Sequence, residues 1–176
     1  MAVEEAPKGP ALESASAAEL DWNAVYAAQL PRVYNYFRFR LGRHSDIEEL
    51  TSRTFEKAWK ARSQYRRDMA GFSAWLFGIA RNVAADDLRS RRIHLPLDVV
   101  HDSAAESSPE GEALHHSNMA RLAQLTARLS ERQQEILALK YGAAMNNRLI
   151  ARLLGLSESN VGTLLHRMVE KLRSQW

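Results

Sequence analysis

The chain has no cysteine among its 176 residues. This removes disulfides, thiolate nucleophiles and cysteine-ligated zinc, and it suits a reducing compartment such as the cytoplasm. No apolar run approaches the length of a membrane span, so membrane insertion is not expected. The opening Met1-Ala2-Val3-Glu4-Glu5 is acidic and lacks the apolar core of a secretory signal. Catalytic patterns are missing too: there is no Gly-rich phosphate loop, no nucleophile elbow and no HExxH. His101-Asp102 and His115-His116 have no further ligand at metal spacing. No metal, cofactor or catalytic residue is therefore expected, and the chain reads as a binding protein rather than an enzyme. Glycine and proline number only 8 and 5, which leaves few breaks in helical segments.

Alanine, leucine, arginine and glutamate are abundant, and apolar residues recur at helical spacing. The net charge of +3 is unevenly spread, at −4 over residues 1–30, +7 over 31–92, −3 over 93–130 and +3 over 131–176. Two basic blocks thus flank an acidic one. Basic blocks suit phosphate backbones, although solvated arginine-rich helices would give the same composition.

Residues 1–19 read as a disordered leader rich in Ala, Glu, Ser and Pro. From Leu20, apolar residues at three- and four-residue spacings reach Leu41, with Pro31 as a kink or a new start and Gly42 as a stop. Asp46 to Arg62 is the next helix, with Ser45 as its cap and Ile47, Leu50, Thr54 or Phe55, Ala58 and Trp59 along its apolar stripe. After a basic loop over 63–71, Phe72 to Arg92 forms a long helix whose buried side includes Trp75, Leu76, Ile79, Ala80 and Val83. Residues 93–117 read as an acidic linker, too long and structureless for one compact domain. Residues 118–176 resume the helical pattern, with a capping box at Ser130-Glu131-Arg132-Gln133 and a core through Ile136, Leu137, Leu139 and Tyr141 to Gly142. The expected fold is all-α: two small helical domains, 20–92 and 118–176, joined by a flexible acidic linker.

The last 48 residues carry a helix-turn-helix pattern. Ala151 is small where two helices cross, Gly155 lies in the turn, Val161 returns to the core, and Ser157 caps the second helix with Glu158 in its first turn. Such a unit presents a helix to the DNA major groove.

Two segments together resemble one family. Asp46-Ile47-Glu48-Glu49-Leu50-Thr51-Ser52-Arg53-Thr54-Phe55-Glu56-Lys57-Ala58-Trp59 is followed by Trp75-Leu76-Phe77-Gly78-Ile79-Ala80-Arg81-Asn82-Val83-Ala84-Ala85-Asp86-Asp87-Leu88-Arg89. Leu129 to Leu137 then precedes Ile150-Ala151, Leu156-Ser157, Val161 and Leu165-His166-Arg167. In this order, they resemble the extracytoplasmic-function (ECF) sigma factors of bacterial RNA polymerase, which have regions two and four only. The resemblance implies an alternative sigma factor that binds core RNA polymerase, directs it to promoter DNA and assists melting. It also implies an anti-sigma factor as a further partner.

The same resemblance assigns residues. Asp46, Glu48, Glu49, Leu50 and Arg53 would bind polymerase, the acids by charge and Leu50 as an apolar anchor. Tyr65, Arg66, Arg67, Arg81, Asn82, Asp86 and Arg89 would meet the minus-ten element, with Tyr65 stacking and Asn82 bordering the pocket for a flipped base. Arg148, Ser159, Asn160, Thr163, His166 and Arg167 would face the minus-thirty-five element. Two departures stand out: Gly162 and Leu164 occupy positions where members commonly carry Lys or Arg, and an exposed Leu164 is the plain expectation. A stand-alone helix-turn-helix regulator and a helical adaptor without DNA binding are the competing readings.

Overall fold

The computed structural model describes residues 21–42, 46–66, 71–94 and 121–176. The leader over 1–19 and the linker from residue 95 onward lie outside the described residues. Among those described, every regular element is a helix.

Helix α1, Trp22–Leu41, starts where the Asp21 carboxylate accepts from the Asn23 and Ala24 N–H groups. It runs through Pro31 without a second start and ends at Gly42. Its buried residues Val25, Gln29, Val33, Tyr36 and Phe37 fall at the spacing of one helical face. Helix α2, Ile47–Lys60, is capped by Asp46, whose carboxylate accepts from Glu49 N–H at 3.0 Å; Ser45, the expected cap, lies outside the described residues. The buried Thr51 and Thr54 hydroxyls donate back to the Ile47 and Leu50 carbonyls, at 2.7 and 2.8 Å, so their burial leaves no orphan polar group. Helix α3, Phe72–His94, extends two residues into the expected linker. Its buried face includes Phe77, absent from the sequence-based core; the Phe77 ring packs edge-on against Tyr36 of α1 at 5.7 Å between centroids. Full burial of each such ring is worth roughly 1.5–3 kcal/mol.

In the second domain, α4 covers the described residues 121–127. Helix α5, Glu131–Leu137, opens with the expected capping box, in which the Ser130 hydroxyl accepts from Gln133 N–H and the Gln133 side chain accepts from Ser130 N–H. It runs into a π turn, Ala138–Gly142, closed by an i+5 bond from Ala143 N–H to the Ala138 carbonyl. Helices α6, Asn147–Leu154, and α7, Glu158–Ser174, form the helix-turn-helix. Gly155 adopts φ +66°, a left-handed conformation that L side chains rarely take. Ala151 and Val161 are buried at the crossing, and the Ser157 hydroxyl accepts from Asn160 N–H at 3.1 Å. Tyr141, expected in the core, lies in this π turn and is 52% exposed.

The two helical domains pack against each other. The π turn lies on α1 so closely that a Cβ on Gly142 would stand 2.8 Å from the Asn35 carbonyl oxygen and 2.9 Å from the Tyr36 Cα. Only glycine permits that approach. Ala138, Leu139, Ala143 and Met145 join the same apolar cluster as Val33, Tyr36 and Phe37.

Candidate nucleic-acid interface

The acidic start of α2 presents Asp46, Glu48 and Glu49 to solvent, with Arg53 half-buried. Two effects place the acids there: the helix dipole favours negative charge in the first turn, and Asp46 serves as the cap. Glu48 borders a groove between α1 and α2 that is otherwise lined by Tyr26, Leu30, Pro31, Tyr34 and Thr51. Leu50 does not share this surface. It is 4% exposed and belongs to the core, because it lies on the same helical face as Ile47 and Thr54. The expected apolar anchor is therefore corrected to a packing residue.

Tyr65 calls for the same correction. It is 6% exposed, with its ring 5.6 Å from Phe72 and 5.2 Å from Trp75 between centroids. Four rings gather there, Trp22, Tyr65, Phe72 and Trp75, and they hold the start of α3. A ring inside such a cluster cannot stack on a nucleobase without leaving it. The surface ring nearby is Trp59, half-exposed, with Trp22 edge-on at 5.2 Å and the Arg62 guanidinium over its face at 4.1 Å.

Of the other minus-ten candidates, Asn82 is exposed on α3 and Arg66 is exposed at the end of the loop, while Arg67 lies outside the described residues. Asp86 pairs with Arg89 at 3.3 Å and with Lys57 of α2 at 3.8 Å. Arg81 is held from the second domain: its Nε donates to Glu135 Oε1 at 3.0 Å and its Nη1 to the Leu153 carbonyl at 3.2 Å. On α7, Ser159, Asn160, Thr163, His166 and Arg167 are all exposed on one side of the helix, while Val161, Leu165 and Met168 are buried on the other. Arg148 pairs with Glu158 at 3.3 Å, which ties the start of α6 to the start of α7. Leu164 is half-buried against the core rather than exposed, and Gly162 faces α6, with a Cβ there meeting Asn147 Nδ2 at 3.6 Å.

Sequence reasoning passed over the contacts that join the domains. Tyr36 Oη donates to Glu135 Oε1 at 2.9 Å, Arg40 Nε to Glu135 Oε2 at 3.0 Å, and Arg40 Nη1 to Gln134 Oε1 at 3.2 Å. Arg32 Nε donates to the Ala143 carbonyl at 2.8 Å, and its Nη1 to Gln29 and Ser73. Burial, reinforced by the Glu135 charge, raises the Tyr36 phenol well above its ordinary value, and burial alone lowers the Arg32 guanidinium. Locally these arginines look like surface charge. Only the tertiary fold buries them, and no short-range signal could have found their partners.

The chain thus pairs a three-helix domain, one helix of which opens with exposed acids, with a helix-turn-helix domain, a unit common among DNA-binding proteins. The family description "Sigma-70 region 2" matches residues 25–93, and "Sigma-70, region 4" matches residues 119–172. The chain therefore belongs to the sigma-70 family, in its ECF branch with regions 2 and 4. It is 32% identical to the ECF RNA polymerase sigma factor BldN of Streptomyces coelicolor over 92% of this chain, and it spans 62% of that protein's length. It is 27% identical to the ECF sigma factor SigL of Mycobacterium tuberculosis, over 85% of each chain. The solved structure of the sigma factor RpoE with the anti-sigma factor NepR, from Bartonella quintana, shares the fold at a TM-score of 0.66, with 19% identity, 88% of this chain covered and 95% of that one.

Proposed function

We propose that this chain is an alternative sigma factor: it binds core RNA polymerase, brings it to specific promoters and assists melting of the minus-ten region. The observation that carries the reading is the pairing of two surfaces on one chain. One is the acidic, exposed start of α2. The other is the exposed polar row Ser159, Asn160, Thr163, His166 and Arg167 on α7. The acids of α2, Asp46, Glu48 and Glu49 with Arg53, complement a basic face on the polymerase. The row on α7 enters the major groove at the minus-thirty-five element, with Arg148 reaching the backbone. Asn82, Arg66, Arg67, Arg81, Asp86 and Arg89 address the minus-ten strand, where binding a flipped base stabilises the melted duplex without nucleotide hydrolysis. The division into a leader to residue 19, a polymerase and minus-ten domain over 20–92, a linker over 93–117 and an upstream-element domain over 118–176 belongs to the same reading.

The chain supplies no catalytic group of its own, because synthesis belongs to the polymerase. It works in the cytoplasm, where that enzyme is, and among the described residues no helix is long and apolar enough to cross a membrane. An anti-sigma factor is a further partner, supported by the RpoE–NepR relative.

Asn82→Ala separates the steps. Core binding should be unchanged in a co-purification assay with polymerase from Streptomyces coelicolor, while promoter opening, read by permanganate reactivity of unpaired thymines, should drop at least tenfold. Loss of core affinity instead would remove Asn82 from the DNA pocket.

A further inference from the structure

Gly162 is a glycine that neither backbone nor packing requires. Its φ is not positive, and a Cβ there would make only an ordinary contact, 3.6 Å from Asn147 Nδ2. Gly142, by contrast, has no room for a Cβ at all. Glycine inside a helix lowers stability relative to alanine. The missing side chain at residue 162 therefore calls for a reason outside the fold.

Its place on α7 supplies one. Gly162 is three residues after Ser159 and four before His166, so it shares their exposed strip of the helix. Across the gap stands Asn147, the half-buried first residue of α6. Its Oδ1 accepts from Lys140 Nζ at 2.9 Å. An ammonium can only donate, so this bond fixes the amide, with its oxygen toward Lys140 and its NH2 toward Gly162. Among the described residues, none accepts from Nδ2. The approach to α6 is fixed as well. Ala144 holds φ +52°, a left-handed conformation uncommon outside glycine. Met145 N–H donates to the Leu139 carbonyl at 3.0 Å, and the Asn146 side chain accepts from Leu149 N–H at 2.8 Å. Backbone strain of this kind collects at binding sites.

We propose that Asn147 is a further DNA contact of this surface: held by Lys140 and uncovered by Gly162, its Nδ2 donates to a backbone phosphate at the upstream element. The assignment rests on the sigma reading and adds a contact to its minus-thirty-five surface. In helix-turn-helix units the first helix crosses the DNA backbone, and asparagine is a regular phosphate donor. A long cationic side chain at residue 162 would bring its own phosphate contact but would lie over the amide. This chain uses a neutral donor in its place. Such a donor displaces no counterion, so the contact keeps its strength as salt rises.

The test uses holoenzyme assembled from the full chain and Streptomyces coelicolor core enzyme, bound to a fluorescent duplex whose start site has been mapped by run-off transcription. The half-saturating concentration is read from about 50 to 200 mM salt. Asn147→Ala should raise it about tenfold, as for the loss of a hydrogen bond to a charged group, with the salt slope unchanged. Asn147→Asp keeps the side-chain shape and suits the first turn of α6, so its unfolding midpoint should not fall. It should nevertheless weaken binding at least as much. Lys140→Met should weaken binding at an unchanged slope and add nothing to Asn147→Ala. In a Gly162→Leu background, Asn147→Ala should have no further effect. Wild-type binding by Asn147→Asp overturns the contact, even where Asn147→Ala binds poorly. A slope lowered by one unit in Lys140→Met places that ammonium on the DNA and overturns its positioning role. An equal loss for Asn147→Ala with and without Gly162→Leu overturns the role of the gap. A wild-type chain that gives core enzyme no mapped start site overturns the sigma reading, and this contact with it.

Discussion

At the scale of single residues, burial decides between roles that look alike in sequence. Leu50 follows the exposed Glu48 and Glu49, and Tyr65 lies between the exposed Gln64 and Arg66, yet both are buried. Which face of a helix meets the core depends on a neighbour that sequence periodicity does not name. Leu164 is another such case, half-buried beside Gly162. The space at Gly162 is open enough for a methyl group, since a Cβ there makes an ordinary contact with Asn147. Gly162→Ala should therefore raise stability by up to about 1 kcal/mol through helix propensity alone, read as a higher urea midpoint. Tyr36 makes a prediction about pH. Its folded value lies above its unfolded one, so its contribution is complete below about pH 10 and is lost as pH rises through the raised value. In an alkaline titration followed by phenolate absorbance, Tyr36 should release its proton only with unfolding. Reversible ionisation of every tyrosine near pH 10 would contradict its burial.

At the scale of elements, much was legible. The capping box at Ser130 and Gln133, the Ser157 cap and the turn at Gly155 are local devices, written in three to five consecutive residues, and the structure contains each of them. The start of α2 was read one residue early, because Ser and Asp are both competent caps and the chain offers them side by side. Pro31 lies inside α1, where packing of Val25, Gln29, Val33 and Phe37 on one face outweighs a local breaker. Ser157→Ala should cost about 1 kcal/mol by removing the acceptor for Asn160 N–H. Its helicity should otherwise be unchanged, since the contacts of Val161, Leu165 and Met168 remain. Arg167→Ala should lower the salt dependence of promoter binding by about one unit of slope, as expected for the loss of one phosphate contact. An unchanged slope would place Arg167 away from the DNA.

At the scale of the whole molecule, the alternating charge blocks pointed to two basic helical units with an acidic stretch between them. What they could not convey is that the units dock. The pairs that join them, Tyr36 and Arg40 with Glu135, lie 99 and 95 residues apart in the chain, and nothing in either local pattern marks them as partners. The account as a whole rests on the two domains serving one polymerase at one promoter. The most direct measurement is run-off transcription by bacterial core enzyme on a library of promoter fragments, with and without the purified chain, and with transcript starts mapped. The account predicts discrete start sites that appear only when the chain is present and that weaken when either upstream element is scrambled. Core enzyme that gains no defined start at any fragment, despite a folded chain in excess, would contradict it.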